Sequence, residues 1–183
     1  MSRVFIPKPL FSELQTFFFQ NNLEQGAFLF ANAEGSDIEV VDAYFIPAEG
    51  WSVQLDVYLE MKDSERGKIM QLARQKGCAV IDCHSHPDSG TDVWFSPSDI
   101  AGITKFATYV QWKLPGTPYV ATVWGEDSVD GIVWPPGSTT PELLELIVVR
   151  SESGSTRSMK PRGTWFREPR SYWRKESSAG PRD

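Results

Sequence analysis

The chain contains two histidines, and they stand two residues apart in the run His84-Ser85-His86-Pro87. Ser96 and Asp99 follow in Ser96-Pro97-Ser98-Asp99. If the histidines close a β-strand, its two-residue period turns both imidazoles to the same side. An aspartate at the start of the next helix then supplies a third ligand. Two nitrogens and one carboxylate oxygen suit zinc, and three protein ligands leave one position for water. We therefore expect His84, His86 and Asp99 to bind one Zn2+ per chain, in the manner of a hydrolytic centre.

Hydrolysis at such a centre needs a base. Glu24 is the candidate, because it borders the almost wholly apolar stretch 26–31, where an acid carries a cost unless it is used. Held off the metal, its carboxylate can take a proton from water and deliver it to a leaving amine. The Ser96 hydroxyl is placed to steady the oxyanion of a tetrahedral intermediate. Together these roles describe an amide hydrolase with no covalent intermediate. Each residue also has a plainer use: His-x-His pairs occur on strands without metal, Ser96 and Asp99 suffice as helix caps, and Glu24 is one acid among 24. Their coincidence around one short stretch favours the site.

The elements that must position these groups can be read from pattern. The apolar run at 78–81 predicts a central strand leading into His84. Ser96 at an N-cap, Pro97 at the first position and Asp99 at the third predict a helix from 97 to about 110. Helices are also expected at 8–21 and at 63–76, the latter stopped by Gly77. Residues 3–7 read as an extended lead-in, and 23–31 with 38–46 as a hairpin. Alternation of Val53, Leu55, Val57 and Leu59 predicts one half-exposed strand over 52–60. Strands are expected at 119–124 and 129–134, and 141–149 fits either helix or strand. The sum is a mixed α+β domain.

Length and composition are those of one folded domain with a tail: 183 residues, 40% hydrophobic and 13% aromatic. We divide the chain into a domain at 1–149 and a tail at 150–183. The domain carries a net charge of −11 and the tail +5. An acidic body argues against nucleic acid, which is gripped through Lys and Arg. No signal peptide or membrane-length apolar run is evident, so a soluble, cytoplasmic protein is expected. Cys78 and Cys83 would face opposite sides of a strand, so they are expected to be free thiols. In the tail, Trp165, Phe166, Tyr172 and Trp173 lie among arginines. They are expected either to fold back on the acidic body or to dock a partner.

The combination His84-x-His86-Pro87, a spacer and Ser96-x-x-Asp99, with Glu24 upstream, resembles the JAMM signature. JAMM proteins are the metalloprotease form of the JAB/MPN domain. The resemblance covers residues 3–135. It implies an α/β sandwich, with a curved, mostly antiparallel sheet flanked by helices on a cytidine deaminase-like core. It also implies zinc at His84, His86 and Asp99, with Glu24 and Ser96 catalytic. The implied activity is an isopeptidase or peptidase that removes or processes a ubiquitin-like protein, of the deubiquitinase kind. Small members of this type resemble bacterial and archaeal forms, some of which sit beside conjugation enzymes in antiviral defence systems. Implied partners are the modifier, its conjugates and conjugation-pathway enzymes, with neither nucleic acid nor membrane. Other expectations left open are a zinc amidase on small peptides and a non-catalytic MPN-type scaffold. Two departures stand out. The spacer 87–95 is longer than the commonest family spacing, and Gly26 lies one residue off the family's upstream pattern. The longer spacer is expected to reshape the substrate channel.

Overall fold

A computed structural model describes residues 2–87, 89 and 92–161. The tail aromatics Trp165, Phe166, Tyr172 and Trp173 lie outside the described residues. Ten strands and three α-helices are described, in the order β1 (Ser2–Pro7), α1 (Lys8–Phe18), β2 (Gly26–Glu34), β3 (Asp37–Phe45), β4 (Trp51–Gln54), β5 (Leu59–Met61), α2 (Asp63–Lys76), β6 (Ala79–Ser85), α3 (Pro97–Lys113), β7 (Tyr119–Trp124), β8 (Val129–Trp134), β9 (Glu142–Arg150) and β10 (Thr156–Met159).

The strands run β1-β3-β2-β6-β7-β8-β9, and β1 then pairs with β9. This last contact closes the sheet into a seven-stranded barrel. It overturns the expected JAB/MPN-like α/β sandwich, in which a curved sheet stays open between flanking helices. The physical reason lies at the two ends of the sheet. The apolar lead-in, with Val4, Phe5 and Ile6 all buried, is a full strand that pairs in parallel with β3 on one side and β9 on the other. An open edge there would leave a row of backbone donors and acceptors unpaired, and closure removes it. β9 pairs with β8 through Leu143 and Glu142, and β10 takes over further along through residues 147–150. The sheet therefore continues past residue 150 into the stretch read as tail.

Two apolar clusters fill the molecule. One takes alternate residues from all seven barrel strands, among them Val4, Leu29, Val40, Ile81, Val120, Val133 and Ile147, and so occupies the barrel interior. Leu14 and Phe18 of α1 join it, the Phe18 ring lying 6.0 Å from that of Trp124. The second lies on the outer face of β2, β6, β7 and β8 beneath α2 and α3, and holds Phe28, Val80, Ile69, Ile103 and Val110. Cys83 belongs to the first cluster and Cys78 to the second, which keeps the two thiols on opposite faces and free.

The alternation over 52–60 is not one strand. The chain turns at Leu55–Tyr58, where Leu55 N–H donates to the Tyr58 carbonyl at 2.9 Å, and β4 with β5 forms a separate two-stranded sheet. Val57, 73% exposed, shows why the period misleads: its apolar side chain rides the turn and faces solvent. Among the described residues, no helix is long and apolar enough to cross a membrane.

Candidate metal centre and cleft

β6 carries the histidines. It is held between β2, antiparallel with Gly26 opposite His84, and β7, parallel with Val123 opposite His84. His84 shares its side of the strand with Val80, so its ring faces α3 rather than the barrel interior. His86 lies one residue past the strand, fixed by its N–H to the Trp124 carbonyl at 2.8 Å.

α3 brings Asp99. Ser96 is the N-cap, its Oγ accepting from Asp99 N–H at 3.2 Å while Asp99 Oδ2 accepts from Ser96 N–H at 2.7 Å. This reciprocal capping box fixes the carboxylate one turn into the helix. The same Oδ2 lies 3.5 Å from His84 Nε2 and 3.3 Å from His86 Nε2. Ligand atoms at the zinc bond lengths typical of nitrogen and oxygen, about 2.0–2.2 Å, are about 3.3–3.5 Å apart along a tetrahedral edge. Both nitrogens therefore stand at tetrahedral spacing from the shared carboxylate oxygen, and the three ligand atoms all lie within 4.8 Å of one another. His84 Nε2 is buried with no hydrogen-bond partner, a costly state for a ring nitrogen that a metal would satisfy. The donor set and the orphaned nitrogen both fit zinc.

Glu24 precedes β2, continuing its antiparallel register so that it faces His86 across the pair. Its Oε1 is 3.4 Å from His86 Nε2, and the residue is only 4% exposed. Burial pushes its carboxyl up from 4.5 to about 7; His84 pulls it down, and the charges of Asp99 and Asp56 push it up again. At the candidate ligands the balance is different. Burial lowers the His84 pKa, but Asp99, with Asp82 and Glu24, outweighs it and holds it above the usual imidazole value. Burial likewise disfavours the Asp99 anion, yet His84, His86 and the Ser96 side chain together hold its carboxyl well below the usual range. Two carboxyls at one site are thus driven apart, one kept ionised and one poised near neutrality.

Beside these groups lies a cleft of about 630 Å³. Glu24, His84 and Asp99 are in its lining; Phe28, Trp51, Met61, Ile103 and Phe106 supply apolar walls from the barrel, the β4–β5 hairpin and α3. Ser96 is absent from the lining, whereas Ser98 is part of it, and the two hydroxyls are 2.8 Å apart. The described part of the spacer is not in the lining either. Phe95 packs its ring 5.9 Å from that of His84, and Val93 N–H binds Ser128 Oγ at 3.0 Å, so this stretch buttresses the site from behind.

Sequence reasoning missed several supporting residues. Ser85, between the histidines and fully buried, accepts Gln25 N–H on Oγ at 2.9 Å, and its own N–H donates to the Gln25 carbonyl at 2.9 Å. Gln54 Nε2 donates to the Glu24 carbonyl at 2.9 Å. Asp82, on the same side of β6 as His84, lines the cleft and accepts from Tyr119 Oη at 3.1 Å. Burial pushes its carboxyl to about 6, against the pull of His84. The period of β6 was a signal for Asp82; for Ser85 and Gln54 the sequence holds none, because their partners are backbone groups far along the chain.

No protein-family model matches the chain, and a search of curated proteins finds no match. Among solved structures it is similar to the solution structure of protein DSY2949 from Desulfitobacterium hafniense. The two are 17% identical, the match covers 81% of this chain and 94% of that one, and the TM-score is 0.54. At that identity the likeness concerns the fold.

Proposed function

We propose that this chain is a zinc-dependent peptidase or isopeptidase of the JAMM type, acting on a ubiquitin-like protein or its conjugates in the cytoplasm. The reading rests on the site residues and not on the barrel. The observation that carries it is the convergence of His84 and His86 on one Asp99 oxygen, at 3.5 and 3.3 Å, with buried Glu24 3.4 Å from His86 in the lining of a cleft.

Bound there, zinc would supply a Lewis acid that polarises the scissile carbonyl and acidifies water. Everything else falls to the chain. Glu24, with a carboxyl near 7, is matched to accept a proton at neutral pH and return it to the leaving amine. Asp99 stays ionised as a ligand, and Ser96, outside the cleft lining but with its hydroxyl 2.8 Å from that of Ser98 within it, is the donor this reading assigns to the oxyanion. The apolar walls exclude water from an extended segment lying between the hairpin and α3. A ubiquitin-like tail, ending in small residues, has the slender shape such a cleft admits. Conjugation enzymes of the same pathway are the partners this reading names.

Metal analysis and cleavage of modifier fusions, with and without chelator, test it. The expected result is one zinc per chain and cleavage that chelator stops and added zinc restores. Glu24→Gln should keep the zinc and lose the cleavage. Cleavage that ignores the chelator, or purified protein without stoichiometric zinc, would refute it.

A further inference from the structure

Glu24 sits outside β2, so the barrel ladder does not hold it. Two sets of hydrogen bonds do. From the barrel, Ser85 grips Gln25 by its N–H and its carbonyl. From the cleft wall, the Leu55 carbonyl accepts Glu24 N–H at 2.9 Å, and Gln54 Nε2 donates to both the Glu24 carbonyl at 2.9 Å and Gln25 Oε1 at 3.0 Å. The orientation of the Gln54 amide follows from its partner, since a backbone carbonyl can only accept. The order then propagates: Gln25 Nε2 donates to Asn21 Oδ1 at 3.2 Å, and that oxygen also accepts Leu23 N–H at 2.9 Å.

The hairpin that bears Gln54 is a two-stranded sheet without a ladder to the barrel. Such a hairpin is marginal alone, and its place depends on what it touches. It touches residues 24–26 three times: through Leu55, through Gln54, and through Trp51 packed over Gly26, where a Cβ would meet the ring at 2.5 Å. One face of this hairpin walls the cleft, and its turn end holds Glu24.

We infer that Gln54 is a positioning residue for Glu24, tying the hairpin wall of the cleft to the general base. The inference rests on the hydrolase reading above. Its consequence is that the wall meeting the substrate also sets the reach of the group that moves the proton. A displacement of about 1 Å at a catalytic group can cost about a hundredfold in rate.

Gln54→Met is the test, because methionine keeps the length and bulk of the side chain and removes its donors. Zinc content and fold should be unchanged. On a modifier fusion kcat should fall about tenfold to a hundredfold, with KM within about threefold. A retained kcat, or a rise in KM alone, would overturn the inference, since a residue that only shapes the wall acts on binding. Hydrogen exchange at the Glu24 amide supplies a readout that needs no substrate. It should quicken by about tenfold or more in Gln54→Met, and unchanged exchange would overturn the tether even if no substrate is cleaved. A wild-type chain that cleaves nothing while the variant's exchange quickens would sink the hydrolase reading and leave the tether standing.

Discussion

Replacing Glu24 with glutamine should stabilise the metal-free protein at high pH while removing the proposed base. The carboxyl is held near 7 in the folded chain against 4.5 when unperturbed. Between those values the folded protein binds a proton that the unfolded chain has released, so stability falls as pH rises from about 4.5 to 7. Above both values the full displacement weighs against the fold, at about 1.4 kcal/mol per pKa unit, or roughly 3 kcal/mol. Glutamine carries no charge, yet its amide must also leave water, which returns part of the gain. The expected net is about 1–2 kcal/mol at pH 8, falling to nothing or changing sign near pH 4.5. For a chain of this length that is a rise in Tm of about 2–8 °C. Thermal unfolding of both proteins in chelator, from pH 4.5 to 8.5, measures it. A variant less stable than wild type at pH 8, or a difference that does not vary with pH, would refute the reasoning. Stabilisation by removal of a buried acid is the mark of a group kept for use rather than for folding.

Two further outcomes test the site. Gly26→Ala places a Cβ 2.5 Å from the Trp51 ring, so it should cost about 1–3 kcal/mol in urea unfolding and displace Glu24; an unchanged midpoint would mean that the hairpin yields freely. Zinc at a hundred times its Kd should add about 2.7 kcal/mol to the wild-type chain and shift its Tm, whereas Asp99→Asn, lacking the shared carboxylate oxygen, should show little shift. An equal shift in both would place the metal elsewhere.

Local signals in the sequence were sufficient where the physics is local. The helix at 63–76 ends as expected at Gly77, whose positive φ of 66° suits a residue without a Cβ. The capping box at Ser96 and Asp99 starts α3 where the Ser-Pro-x-Asp spacing put it, and both strands at 119–124 and 129–134 match their expected bounds. The convergence of His84, His86 and Asp99 was legible for the same reason, since it needs only a strand, a turn and a helix cap. Closure of the barrel was not. It depends on the pairing of Ser2–Pro7 with residues 144–150, and an edge strand and a closing strand show the same apolar pattern. The hairpin at 51–61 hid behind an unbroken alternation, and the Gln54 tether runs to a backbone carbonyl that every residue possesses.

Barrel closure also has a meaning for the order in which the chain is made. β1 is made before β3, which can pair with it soon afterwards, but its other neighbour, β9, follows every other strand of the barrel. Until β9 arrives, one side of β1 is an apolar strand edge open to any neighbouring chain. The nascent barrel is therefore exposed until β9 is made, and a ribosome stalled before residue 144 would release a sheet with two sticky borders. The first strand of the barrel is held in waiting for the one that closes the ring.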